Sequence, residues 1–313
     1  MIAYIIKRLL ISIPVLFGIS VLVFFMVRLV PGDTVTAMLG NSYTPEQAEA
    51  LRAKYGLDEP LITQYALWLK NVVQGDFGYS QFTNTPVLEA ILARLPITIE
   101  LATLSVLIAI IIAIPLGTIA AIRRNSKFDY GASLFGMLGI SIPNFWLGTL
   151  MILFLSLYAG LFPSGGFVGL AESVWGNLQS MILPAIALGT AVAAVAMRMT
   201  RSSMLEVTNQ DYIKMARAKG VSNSRLIIKH ALKNALVPVV TVLGIQTGYL
   251  LGGSVVVEQI FGLPGVGQLA LQAITNRDYA LLQGTILFIG SAFVIINLIV
   301  DIVYGFLNPQ IRY

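Results

Sequence analysis

The sequence predicts an all-α membrane protein with six transmembrane helices. Three observations predict it. Of 313 residues, 57% are hydrophobic and only 11% are charged, whereas soluble domains carry about 25% charged residues. Mean hydropathy is +0.82. Charge-free apolar runs recur along the chain at about the 20-residue length that a helix needs to cross a bilayer.

The runs can be taken in order. Leu9–Val27 is the first span and Leu101–Ile122 the second. Tyr130–Ala171 has no charged residue, and its part Leu134–Tyr158 is expected to cross as the third. Met181–Met197 is the fourth and carries the weakest signal, because Ile186–Ala196 is rich in alanine. Asn234–Val257 and Tyr279–Val300 complete the six. Lys7–Arg8 before an apolar run resembles the start of a signal peptide. That run is too long for one, and Arg28-Leu-Val-Pro-Gly makes a poor cleavage site, so the first span is expected to be retained.

The basic residues then set the topology. With the N-terminus inside, fourteen Lys and Arg fall on inner segments, eight of them between Arg198 and Lys233, and six fall outside. Four of those six lie well within one long loop, which counts little. Both termini are therefore expected in the cytoplasm, and the net charge of +5 reads as topology rather than nucleic-acid binding. The expected organisation is an N-terminal helix over 1–30, an external loop with short helices over 31–97, and a five-helix core over 98–307. A tail over 308–313 follows.

Several segments carry finer signals. In the external loop, Thr44-Pro-Glu-Gln47 reads as a capping box opening a helix that ends near Tyr55 and Gly56. A second helix is expected from Pro60 to Gln74. Its Leu61, Tyr65, Trp68, Leu69 and Val72 form either a docking or interfacial face or a cap packed on the bundle. Ile260-Phe-Gly-Leu-Pro-Gly-Val-Gly267 breaks regular helix, and its apolar residues suggest that it dips back toward the bundle. It reads as a pore mouth or a plain buried turn; Phe261, Pro264 and Gly265 are its candidate gate residues. Gly244, Gly248 and Gly252 form a stripe on the fifth span that permits close approach, by a partner or pore wall or by a helix of the same chain.

The inner segment 206–238 is the most informative. Thr208-Asn-Gln-Asp211 looks like a helix start, Tyr212–Lys219 like two turns, and Gly220 like their C-cap. Tyr212, Met215 and Ala216 share a face ringed by Lys214, Arg217 and Lys219. A short apolar knob rimmed by charge suits a groove on another protein; a topology-setting basic loop is the plainer reading.

The chemistry excluded is broad. With no cysteine and one histidine, His230, thiolate and multi-histidine metal sites are out, and no metal site is expected. No G-x-x-x-x-G-K-[ST] phosphate loop is present, nor any H-E-x-x-H or G-x-S-x-G. Arg28, Glu100 and Asp301 sit near span ends, where snorkelling is cheap. Asp301 is expected to pair with Arg198 or Arg201. A secondary carrier would need charged relay groups at mid-membrane and often inverted repeats; no mid-membrane carboxylate or repeat is apparent.

Asp211-Tyr-Ile-Lys-Met-Ala-Arg-Ala-Lys-Gly220 followed by His230-Ala-Leu-Lys-Asn-Ala-Leu-Val-Pro238 resembles the EAA motif of ABC importer permeases, in its dipeptide/oligopeptide form. Arg28-Leu-Val-Pro-Gly-Asp33, Gly75-Asp-Phe-Gly-Tyr-Ser80, Ser141-Ile-Pro-Asn-Phe-Trp-Leu-Gly148, Arg277-Asp-Tyr279 and Asn308-Pro-Gln-Ile-Arg312 match the same branch in order. Lys214 and Met215 depart from the general motif in the manner of that branch. The resemblance implies a type I ABC importer permease fold in a prokaryotic cytoplasmic (inner) membrane. It implies a second homologous permease, two ATP-binding cassette ATPases and an external substrate-binding protein as partners. ATP and Mg would sit on the ATPases and no cofactor on this chain. The cargo would be a short peptide or a related solute such as glutathione or a nickel complex. Asp211, Tyr212, Met215, Ala216, Arg217, Gly220 and His230 become the expected contact with the ATPase.

Overall fold

A computed structural model describes residues 2–28, 58–80 and 82–307, together with 44–46, 49 and 52. The helix expected from Thr44 to Tyr55 and the tail 308–313 lie largely or wholly outside these residues.

The described chain is helical. Helix α1 (Ile2–Arg28) leads to α2 (Leu61–Val73), which lies against its C-terminal half. Tyr65 meets Phe24 edge to face and Trp68 of α2 lies tilted against it, at ring-centroid distances of 5.2 and 5.6 Å, and the Tyr65 hydroxyl meets Ser20 Oγ at 2.7 Å. Arg28 donates to Gln64 Oε1 at 2.6 Å. On its Tyr65–Trp68 face α2 is thus a cap packed on the first span, while Ile62 and Val73 stay exposed.

Helix α3 (Val87–Ile122) and α6 (Val174–Thr208) are the two longest, and they make the most extensive packing in the molecule. Two glycines set their distance. A Cβ on Gly117 would meet the Met197 carbonyl oxygen at 2.7 Å, and one on Gly189 the Ser105 carbonyl oxygen at 2.7 Å. The alanine-rich fourth span is the hub: 72% of the most apolar window of α6 is buried, against 17% for α1 and 6% for Tyr279–Val303. Alanine is the residue a helix needs when other helices, rather than lipid, surround it.

The third span departs from the expected straight crossing. Helix α4 (Lys127–Ser141) turns by 100° at Ile142–Pro143 into α5 (Asn144–Met151), which continues as a π-helical stretch, Ile152–Tyr158. Proline at 143 holds the preceding residue extended (Ile142 ψ 121°), which breaks the helix there. Five helices are long and apolar enough to cross a membrane, or six if this bent pair is one span.

After α6 come the short α7 (Asp211–Ala218), a helical turn at Asn223–Arg225, a π-helical stretch at Leu226–Leu232, and α8 (Lys233–Gly253). A hairpin of α9 (Val255–Phe261) and α10 (Val266–Thr275) leads into α11 (Tyr279–Leu307). Two quoted motifs meet beside the start of α11: Ser80 Oγ donates to the Asp278 carboxyl group at 2.5 Å, and Leu281 N–H donates to its other oxygen at 3.1 Å.

Candidate functional site

Helix α7 has an inner and an outer face. Ile213 is 1% exposed and packs with Met204 of α6, Ala121 of α3, and Leu226, Ala231 and Ala235 beyond it. Tyr212 and Met215 are 43% and 59% exposed. Ala216 is half-buried and rests on the same cluster as Ile213. The inward anchor is thus Ile213, which hydrophobic spacing in so short a helix did not single out, and the outward knob is Tyr212 with Met215. Asp211 and Lys214 pair at 2.9 Å on the exposed surface, and Arg217 is exposed.

Both ends of α7 are fixed. Gly220 has φ +79°; its N–H donates to Arg217 O at 3.0 Å and Val221 N–H donates to Ala216 O at 3.2 Å. These two bonds form a Schellman motif, which requires a left-handed residue. No atom lies within 4 Å of the position a Cβ on Gly220 would take, so the glycine serves backbone conformation and not packing. The Tyr212 hydroxyl accepts from Asn234 Nδ2 at 2.7 Å, which ties α7 to the start of α8. His230 lies half-buried in the π-helical stretch, where its carbonyl accepts from Asn234 Nδ2 at 3.3 Å. Wide helical turns of this kind are frequent at functional positions.

An ion pair supports the platform. Asp129, 3% exposed, takes both Arg201 Nε and Nη2, the latter at 2.8 Å, and accepts from Asn125 N–H at 3.0 Å. Arg201 therefore pairs with Asp129 and not with Asp301, as expected from sequence. Asp301 pairs with Arg8 of α1 at 2.8 Å. Asp129→Asn is expected to weaken the subunit by about 3 kcal/mol, since Arg201 keeps its charge and loses its counterion. A thermal melt of the detergent-purified subunit measures this; an unchanged midpoint would show the pair to be incidental.

The remaining candidates fall elsewhere. The glycine stripe faces α11 of the same chain: a Cβ on Gly244 would collide with Val300, one on Gly248 would meet Phe293 at 2.9 Å, and one on Gly252 would meet Ile289 at 3.6 Å. Gly244 and Gly248 thus fit the within-chain alternative, while Gly252 is exposed, as are Ile245 and Tyr249. Phe261 is 2% exposed, against α5 and α6; Leu263 is fully buried, Gly265 is buried and Pro264 half-buried. The segment 260–267 does dip into the bundle. Two carboxyl groups that sequence reasoning missed also lie there, Asp129 and Glu258, the latter 0% exposed. Asp129 lies just before the third predicted run and Glu258 just after the fifth, so neither stands at the middle of a span. Asp129 gives no sign in sequence because its partner Arg201 is 72 residues away, and Glu258 because it sits just past the fifth apolar run and its α3 partner Thr98 is 160 residues away.

Comparison with known proteins accords with this geometry. The family described as "Binding-protein-dependent transport system inner membrane component" matches residues 113–313, and its N-terminal companion matches 1–102. A putative peptide transport system permease protein of Brucella abortus is 46% identical over 313 residues, 100% of both chains. The oligopeptide transport system permease protein AppB of Bacillus subtilis is 45% identical over 316 residues, 100% of both chains. The dipeptide transport system permease protein DppB of Escherichia coli K12 is 41% identical over 337 residues, 100% of this chain and 99% of that one. With the apolar spans and a short exposed helix between the fourth and fifth of them, these matches lead to one conclusion: the chain belongs to the inner-membrane components of binding-protein-dependent transport systems.

Proposed function

We propose that this chain forms half of the translocation pathway of an ATP-driven importer of short peptides, and that α7 is its contact with a separate ATPase. The observation that carries the contact is the outward presentation of Tyr212 and Met215 on a helix whose other face is sealed by Ile213. An apolar pair this exposed, on an element locked at both ends, is preorganised for a groove. Asp211, Ala216, Arg217, Gly220 and His230 frame it. The peptide cargo is favoured by the relatives, which are named as peptide, oligopeptide and dipeptide permeases.

The chain works with a second homologous permease, two ATPases that hold ATP and Mg, and an external binding protein that delivers cargo. Both termini face the cytoplasm. Closure of the ATPase pair pushes α7, which is coupled through Met204 to α6 and through Ala235 to α8, and the bundle alternates its opening. The hairpin carrying Phe261, Pro264 and Gly265 closes the outer mouth.

The test is ATP-dependent peptide uptake in proteoliposomes holding the whole complex, with Gly220→Val as the diagnostic variant. Valine at φ +79° costs about 1–2 kcal/mol, which distorts the end of α7 without a steric clash. ATPase association is expected to fall about tenfold while membrane insertion is unchanged. Normal coupling in the variant would place the ATPase contact elsewhere. Uptake that follows a proton gradient without the ATPase would favour a secondary carrier.

A further inference from the structure

Glu258 is 0% exposed, and among the described residues no basic side chain pairs with it. Its carboxyl group instead gathers neutral donors from three directions. One oxygen accepts from Ser254 Oγ at 2.7 Å and Thr98 Oγ1 at 3.2 Å; the other accepts from Gln268 N–H at 2.8 Å. Thr98 Oγ1 in turn accepts from Val266 N–H at 2.9 Å. One side chain thus joins α3, the start of α9 and the first turn of α10.

The glycines of the turn make room for it. A Cβ on Gly265 would run into the Glu258 carboxyl group, and one on Gly267 would meet it at 3.0 Å. The Pro-Gly-Val-Gly sequence that reads as a helix breaker is therefore a cradle for a carboxyl group at the N-terminus of α10, where the helix dipole favours an acceptor. Burying such a group costs several kcal/mol unless every acceptor is satisfied, and an apolar residue would fill the space at lower cost. What the carboxyl group supplies and an apolar residue cannot is a fixed geometry between three elements.

We propose that Glu258 is a positioning residue that locks the α9–α10 hairpin to α3, so that the outer mouth moves as one block with α3 and not as a free lid. The transport readout of this proposal rests on the importer reading; the labelling readout does not.

The chain has no cysteine, so Ala273→Cys, at a fully buried α10 position that packs with Val87 and Ile91 of α3, provides a single reporter. The complete transporter carrying it is reconstituted and treated with a membrane-impermeant maleimide, without nucleotide and with ATP plus vanadate. Adding Glu258→Ala is expected to raise labelling about tenfold in both states, as a freed hairpin opens locally. Peptide uptake is expected to fall about tenfold while complex yield and basal ATP hydrolysis stay within about twofold. Glu258→Gln should retain labelling and uptake near the parent values, because its amide can donate to Ser254 and Thr98 and its carbonyl can accept from Gln268. Thr98→Val should raise labelling alone and add nothing to Glu258→Ala, the sign of one coupled unit.

Unchanged labelling in Glu258→Ala, or Gln as damaging as Ala, would overturn the proposal. If Glu258→Ala fails to assemble, Thr98→Val alone decides, and unchanged labelling there would likewise overturn it. A parent reporter that takes up no peptide would count against the importer reading and leave the labelling comparison intact.

Discussion

Gly189→Val is expected to leave little folded subunit to purify. The hydrogen that stands in place of a side chain at Gly189 faces the Ser105 carbonyl oxygen and the side chain of Ile108. A side chain can rotate away from an intruding methyl group, but a backbone carbonyl in the middle of a helix cannot. Two extra methyl groups would force α3 and α6 apart, and the same interface is pinned again at Gly117 against Met197 and Thr200. Overpacking typically costs 1–3 kcal/mol. Here the strain falls on the interface that organises the bundle, so about 3 kcal/mol or more is expected. The yield of monodisperse subunit and its thermal midpoint measure the effect. Gly131→Ala is the control: this α4 glycine is exposed and has nothing within 4 Å of the new Cβ, so helix propensity alone should raise stability by about 0.5–1 kcal/mol. A Gly189→Val subunit that melts with the native one would show the α3–α6 approach to be looser than described.

The role of Gly189 also marks where sequence reading stops. Apolar runs and basic residues located the spans, because lipid and the inner loops impose simple compositional demands. Met181–Met197 carries a weak signal by composition because its alanines suit a helix surrounded mostly by protein, as α6 is, and lipid makes no such demand. The reversal at Pro143 was invisible for a related reason: Tyr130–Ala171 is free of charge throughout, and hydropathy carries no direction. Pro143 was the signal present, though a proline in a span usually marks only a kink. The ion pairs were legible as charges but not as pairs. Asp129 and Arg201 are 72 residues apart in sequence, and choosing Arg201's partner required knowing that α4 lies along α6. Gly220 was legible to the residue because its demand is local, a positive φ at the end of two helical turns.

The two ends of the bundle solve a similar problem by different means. At the basic end, α7 is held by apolar burial of Ile213 and by a glycine that no atom crowds. At the other end of α8, the hairpin is held by a buried carboxyl group that two glycines crowd closely. The first arrangement leaves an exposed face available to a partner. The second leaves little freedom at all. In an alternating-access cycle this asymmetry would let force enter through α7 while the outer hairpin follows rigidly.

Met215→Asp and Ile213→Asp separate docking from folding on α7. Met215 is 59% exposed, so an aspartate there stays in water and the thermal midpoint of the isolated subunit should not move. In the complex the same carboxylate would be driven into an apolar groove, and truncation of a central anchor already costs about 2 kcal/mol. ATPase association is therefore expected to weaken at least about 30-fold, with peptide uptake falling in step. Ile213→Asp places the charge among Met204, Leu226 and Ala231. It should undo the packing of α7 itself and lower the midpoint before any partner is added. Tyr212→Phe falls between the two: it removes the acceptor for Asn234 Nδ2 and keeps the exposed ring, so docking should weaken by only a few-fold, about 0.5–1.5 kcal/mol for one hydrogen bond. Binding of the purified ATPase to each variant in nanodiscs, set beside the melts, gives the order. If Met215→Asp binds and couples as the parent does, the exposed face of α7 is not the docking surface, and the contact must be sought among the basic residues that surround it.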